Sequence, residues 1–194
     1  DLVIAQFADV EFVAANADMI GLSFTNTPDD VSELRQRLLE MGFDDVGVVV
    51  KIETKRGFNN LPGILLEALK FPACGVMIAR GDLAAECGFE RMAELQEEIL
   101  WICESAHVPV VWATQVLEGL TKRGHASRAE ITDAAMGQSA ECVMLYKGPY
   151  ILEAVRTLND ILQRMQDHQT KKRSMLRKLG LAADCATTGP ISTY

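Results

Sequence analysis

Apolar positions along the chain follow two rhythms. Five short runs are nearly continuous: "ADMIGLSF" (17–24), "VGVVVKIE" (46–53), "CGVMIARGD" (74–82), "VPVVWATQ" (108–115) and "ECVMLYKG" (141–148). Such runs, rich in Val, Ile and Met, predict strands of a parallel sheet covered on both faces. Their starts lie about 30 residues apart, the length of one strand-plus-helix unit. Between the runs, apolar residues recur at helical spacing. In "TNTPDDVSELRQRLLEMG" Thr27 is the expected N-cap, Pro28 the first helical residue and Gly42 the stop, with acids in the first turn. Val31, Leu34, Leu38 and Met41 form its inner stripe. "FERMAELQEEILWICESA" carries Phe89, Met92, Leu95, Ile99, Ile102 and Ala106 in the same way. "SRAE" (127–130) fits a capping box, and a last helix is expected over about 150–165.

Five β-α units in a row predict an α/β architecture. A doubly wound sheet and part of a TIM barrel both fit the rhythm. No G-x-G-x-x-G follows a strand and no P-loop occurs, so dinucleotide-fold and Walker-type readings lack support. The barrel-like segment is expected to span 1–165. Residues 166–194, with the basic run "KKRSMLRK" followed by small and polar residues, read as a loosely ordered tail.

Composition narrows the function classes. The chain has 194 residues, 48% hydrophobic and 24% charged, which suits a packed domain and argues against wholesale disorder. A net charge of -8 disfavours nucleic acid or an anionic membrane as the main partner. It leaves room for an anionic substrate, because a local metal or lysine reverses the field. Five cysteines without a C-x-x-C argue against a disulfide framework or structural zinc and fit a reducing, cytoplasmic setting. No run approaches membrane-span length. Residue 1 is Asp, so the chain is expected to be the remainder of a longer polypeptide or to self-associate. Five parallel strands cannot close an eight-stranded barrel, which exposes sheet edges.

Polar residues gather where the predicted strands end: Ser23, Lys51 and Glu53, Arg80 and Asp82, Thr114 and Gln115, Tyr146 and Lys147. In barrels and open α/β sheets that edge is where sites are built. Glu53 and Asp82 are two carboxylates from neighbouring strand ends, a donor set that suits Mg2+ or Mn2+ with water and substrate oxygens completing the shell. Lys51, on the same side of its strand as Glu53, is a compact cation for a phosphoryl or enolate oxygen. Gly81 allows close approach of backbone N–H groups to a ligand, and Thr114 offers a hydroxyl. Each has a plainer reading. Lys51 with Glu53, and Arg80 with Asp82, are ion pairs when taken singly, and Thr114 alone satisfies a carbonyl. His107, His125 and His168 show no ligand spacing and read as surface residues. Met and Cys in the strands read as core.

"KIETKRGFNN", "GVMIARGDLAAE", "PVVWATQVLEGL" and "SRAEITDAA…ECVML…EAV" resemble the pyruvate kinase family, in order and at matching intervals, over about residues 1–165. The resemblance implies strands four to eight of that family's TIM barrel, about five of its eight β-α units. It also implies Mg2+-dependent phosphoryl transfer between phosphoenolpyruvate and ADP, giving pyruvate and ATP in glycolysis. Lys51 then resembles the catalytic lysine, Glu53 and Asp82 the metal ligands, Gly81 and Asp82 the segment that holds the substrate carboxylate, and Thr114 the threonine beside the enolate carbon. Arg80 looks structural.

The sequence departs from the family at three places. "YKGP" (146–149) stands where S-G-E-T-A is usual, Ala84 where a glycine follows G-D-L, and Asn26 where an arginine follows the first strand. The family's first three strands, its lid and its regulatory domain have no matching residues. A K+ site, allowed by the resemblance, would have its ligands in those strands. Two other readings share the metal and enolate groups: a metal-dependent 2-oxo acid lyase of aldolase type, and a non-catalytic regulatory or assembly module.

Overall fold

Val48, Val49 and Val50 are branched at Cβ, which suits a pleated strand better than a helix. They form the middle of a buried strand in a computed structural model that describes residues 2–5 and 10–169. Six parallel strands make one sheet: β1 (Leu2–Ala5), β2 (Met19–Leu22), β3 (Gly47–Ile52), β4 (Cys74–Ala79), β5 (Val110–Val116) and β6 (Cys142–Leu145). Their spatial order is their chain order. The helices are α1 (Val10–Ala14), α2 (Pro28–Glu40), α3 (Lys55–Asn59), α4 (Leu61–Ala68), α5 (Arg80–Cys87), α6 (Met92–Ser105), α7 (Glu118–Arg123), α8 (Arg128–Met136) and α9 (Ile151–Gln169).

Side-chain alternation sorts the sheet into two faces. Val48, Val50, Ile52, Val76, Ile78, Val110 and Trp112 join a large core with Leu34 and Leu38 of α2, Ile64 of α4, and Leu95 and Ile99 of α6. Each fully buried Leu or Ile there contributes about 1.5–3 kcal/mol relative to exposure. The intervening residues Val49, Met77 and Ala113 form a separate small cluster with Met19 and Val111, and none of its members comes from a helix. A doubly wound sheet would reverse its strand order and carry helices on both faces. Unbroken order, with helices on one face only, is the wall of a TIM-type barrel.

Local signals were read correctly where chemistry is local. Thr27 caps α2 in a full capping box with Asp30, Gly42 takes φ +81° just beyond it, and Ser127 with Glu130 makes the second box at α8. Five expectations change. A sixth strand, β1, precedes the five expected; its four apolar residues are too few for a pattern to stand out. The run from 74 stops being strand at Ala79, so Arg80 and Asp82 lie in the first turn of a helix. Phe89 sits in a 3-10 turn and is 80% exposed rather than in an inner stripe. Cys142 and Met144 are exposed rather than core, because β6 has a sheet neighbour on one side only. Helix α9 runs to Gln169, past the expected end near 165. The expectation of a loose tail lies, beyond that residue, outside the described residues. No helix among them is long and apolar enough to cross a membrane.

Candidate active site at the carboxyl ends of the strands

The end of β3 is regular. Alternation carries Val49, Lys51 and Glu53 onto the inner face, with Lys51 in register beside Met77 of β4. Only Glu53 and Thr54 separate the strand from α3, and Thr54 caps that helix by accepting from the Gly57 N–H at 2.9 Å. Gly57 has no room for a side chain, since a Cβ would run into the Thr25 carbonyl. The short connection fixes Glu53 at the mouth, where its side chain is 1% exposed. The Lys51 ammonium stands 2.7 Å from Glu53 Oε1 and donates to Ser23 Oγ at 3.1 Å. The pair expected at 51 and 53 is thus real, and its anionic half is buried.

The end of β5 is irregular. Its ladder with β6 breaks between Trp112 and Val116, and Thr114 and Gln115 take φ +64° and +57°. Thr114 Oγ1 accepts the Gly81 N–H at 3.0 Å. Arg80 does not pair with Asp82. It donates to the Ala113 carbonyl at 2.8 Å and the Thr114 carbonyl at 2.6 Å, bonds the Asp133 carboxylate, and lies over the Trp112 ring at 4.5 Å. Asp82 is exposed, and no hydrogen bond or ion pair engages its carboxylate among the described residues.

The geometry therefore gives two groups, Lys51–Glu53–Ser23 and Arg80–Gly81–Thr114, at the same edge of adjoining strands. A cleft of about 720 Å3 opens beside the second and is bordered by Gly81, Gln96, Thr114 and Asp133. Lys51, Glu53 and Asp82 do not line it. A smaller cleft of about 240 Å3, near Arg35, Phe43 and Lys70, lies at the opposite, amino-terminal end of the strands. It touches none of the strand-end residues.

Residues 5–155 match the family model of the pyruvate kinase barrel domain. The chain belongs to the pyruvate kinase family. Pyruvate kinase of Debaryomyces hansenii is 39% identical over 160 residues, covering 79% of this chain and 31% of that protein. Pyruvate kinase of Dictyostelium discoideum is 34% identical over 199 residues, covering 96% and 38%. Pyruvate kinase 1 of Trypanosoma brucei brucei is 37% identical over 180 residues, covering 88% and 35%. The chain spans about a third of the length of these relatives.

Within this pyruvate kinase barrel segment, two partners were not foreseen from sequence. Asp133 reaches Arg80 from α8, and Ser23 reaches Lys51 from beyond β2. Neither contact has a local signal, because each joins residues more than 25 positions apart. The altered Tyr146–Pro149 loop docks on α7: the Tyr150 N–H donates to the Thr121 carbonyl at 3.1 Å, and the Lys122 ammonium lies 4.2 Å from the Tyr146 ring centre. His107 and His125 are exposed, as read from sequence.

Proposed function

We propose that this segment supplies the metal-and-enolate part of phosphoryl transfer between phosphoenolpyruvate and ADP, giving pyruvate and ATP in glycolysis. In this reading Lys51 and Thr114 are catalytic. Lys51 holds the transferring phosphoryl group and the enolate oxygen, and the Thr114 hydroxyl faces the enolate carbon. Asp82 offers its first-turn N–H of α5 to the substrate carboxylate, and the Gly81 N–H, which Thr114 Oγ1 accepts at 3.0 Å, joins it when the carboxylate takes that place. The observation that carries the reading is the buried Lys51–Glu53 pair at the mouth, beside the unengaged carboxylate of Asp82.

Glu53 and Asp82 fit a hard divalent cation, Mg2+ or Mn2+: one is a buried carboxylate facing the mouth, the other an unengaged carboxylate at the neighbouring strand end. When bound, such an ion supplies positive charge against the substrate's oxygens. Packing does not require glycine at 81, since a Cβ there would stand 3.8 Å from Thr114 Oγ1, an ordinary contact. Four free cysteines among the described residues, Cys74, Cys87, Cys103 and Cys142, support a reducing cytoplasm. Self-association through the one-sided β6 edge belongs to the same reading.

Exchange of pyruvate methyl protons with D2O, followed by proton NMR, tests it. With Mg2+ or Mn2+ present, exchange is expected, and Lys51→Ala slows it by ~3–4 kcal/mol of barrier, because a preorganised charge at a developing oxyanion is lost. Thr114→Val slows it less. Absence of metal-dependent exchange, or equal exchange in Lys51→Ala, would put the regulatory-module reading ahead.

A further inference from the structure

We propose that Arg80 is a positioning residue for Thr114, holding the end of β5 in the backbone conformation that presents the Thr114 hydroxyl. This rests on the reading of Thr114 as a substrate-facing group. Thr114 is β-branched and sits at φ +64°, followed by Gln115 at +57°. A β-branched residue in that region is a genuine outlier, and it persists only where its surroundings over-determine it.

Arg80 supplies that constraint. Its guanidinium donates from Nε to the Ala113 carbonyl and from Nη2 to the Thr114 carbonyl, so one rigid fork grips two successive carbonyls of the bulge. Nη1 bonds Asp133 on α8, and the plane lies over the buried Trp112 ring. The side chain is 10% exposed. The next residue, Gly81, donates its N–H to Thr114 Oγ1. Residues 80 and 81 thus fix both the backbone and the hydroxyl of Thr114. An ammonium cannot replace this arrangement, because it is a point charge without a planar fork. Nor does Arg80 act as a partner of Asp82, the role its sequence position first offers. Asp133, in turn, aims Arg80 from the following β-α unit.

The test compares Arg80→Lys, Asp133→Asn and Thr114→Val, singly and with Arg80→Lys combined with Thr114→Val. NMR coupling between HN and Hα, with the intraresidue NOE, reports the sign of φ at Thr114 and Gln115. Arg80→Lys is expected to abolish the positive-φ signature there while core methyl shifts persist. In the pyruvate exchange assay it should lower kcat on the order of a hundredfold, with a smaller change in KM, because misplacing a reacting group by about 1 Å costs that much. In the Thr114→Val background the same substitution should cost less than about threefold, because its effect passes through Thr114. Full, multiplicative losses in the double variant, or an unchanged φ signature in Arg80→Lys, would overturn the proposal. If Arg80→Lys does not fold, Asp133→Asn carries the same comparison, with a smaller loss in the same direction. If the wild type exchanges no pyruvate protons, the proposed function fails, and the φ signature alone decides the positioning role.

Discussion

The ends of β3 and β5 reach the same edge of the sheet by different means. At β3 the strand stays regular, and charge makes the site: Lys51 and Glu53 fall on one face by alternation and meet in a buried pair. At β5 the backbone makes the site: a broken ladder and two positive φ angles redirect Thr114, and the first turn of α5 holds the result in place. Between them runs β4, whose own end contributes residues to the β5 group and leaves Asp82 open. The first half depends on charge balance and the second on conformational constraint. Substitutions should separate the two.

The largest effect is expected from Lys51→Met. It leaves Glu53, 1% exposed, as a buried charge without its counter-ion, which costs about 3–5 kcal/mol. Denaturant unfolding should show that loss, and Lys51→Met with Glu53→Gln should recover most of it. A loss below about 1 kcal/mol, the level of a solvent-exposed pair, would show that charge does not hold this end together. Next is metal affinity. Glu53→Gln and Asp82→Asn should each weaken Mg2+ or Mn2+ binding by tenfold or more, about 1.4 kcal/mol. Calorimetry giving equal affinity for wild type and both variants would remove the metal assignment.

The same contrast explains how much could be read in advance. Alternation is a rule of period two, so the Lys51–Glu53 geometry follows from the letters alone. Thr27 with Asp30 and Ser127 with Glu130 were legible because capping is a contact over three residues. The bulge at Thr114 was not. "VVWATQV" reads as an unbroken strand, and nothing local says that Thr114 and Gln115 leave it. What fixes them is Arg80 from the preceding unit and Asp133 from the following one, and such contacts have no period. The exposure of Cys142 and Met144 was hidden for a related reason, because β6 has the same apolar texture as a central strand and only its place in the sheet differs.

A carboxylate also enters on the β5 side, below the bulge. Glu130 accepts from the N–H of Gly119 at the start of α7 and from the N–H of Ser127 at 2.8 Å, so it ties α7 to α8. Burial pushes its pKa upward, but the N–H groups of Ser127 and Gly119, the Ser127 hydroxyl and the Arg123 charge outweigh this and hold it below its ordinary value of 4.5. A lowered carboxylate pKa contributes stability above the unfolded value and loses it as pH falls through the folded one. Glu130→Gln should therefore flatten the decline in stability below pH 4.5 and cost about 1 kcal/mol at pH 7. An acid-unfolding curve identical to wild type would show that Glu130 adds no pH-dependent stability on the β5 side.

The smallest effect should have the opposite sign, and it addresses constraint directly. Gln115 sits at φ +57° with an exposed side chain. An L-residue in that conformation costs about 1–2 kcal/mol, which glycine does not incur. Glycine gives back about 0.5–1 kcal/mol through the greater freedom of the unfolded chain. Gln115→Gly should therefore stabilise the fold by about 0.5 kcal/mol, equivalent to roughly 1–2 °C in Tm for a chain of this size. Gln115→Ala is the control, since it removes the side chain and keeps the strained backbone. It should leave Tm unchanged or slightly lower. The Lys51 end should show no such gain, because β3 carries no positive φ between Gly47 and Ile52. If Gln115→Gly lowers Tm as much as a glycine placed within β3, the β5 end is not strained. Both halves of the mouth would then owe their geometry to side-chain contacts alone.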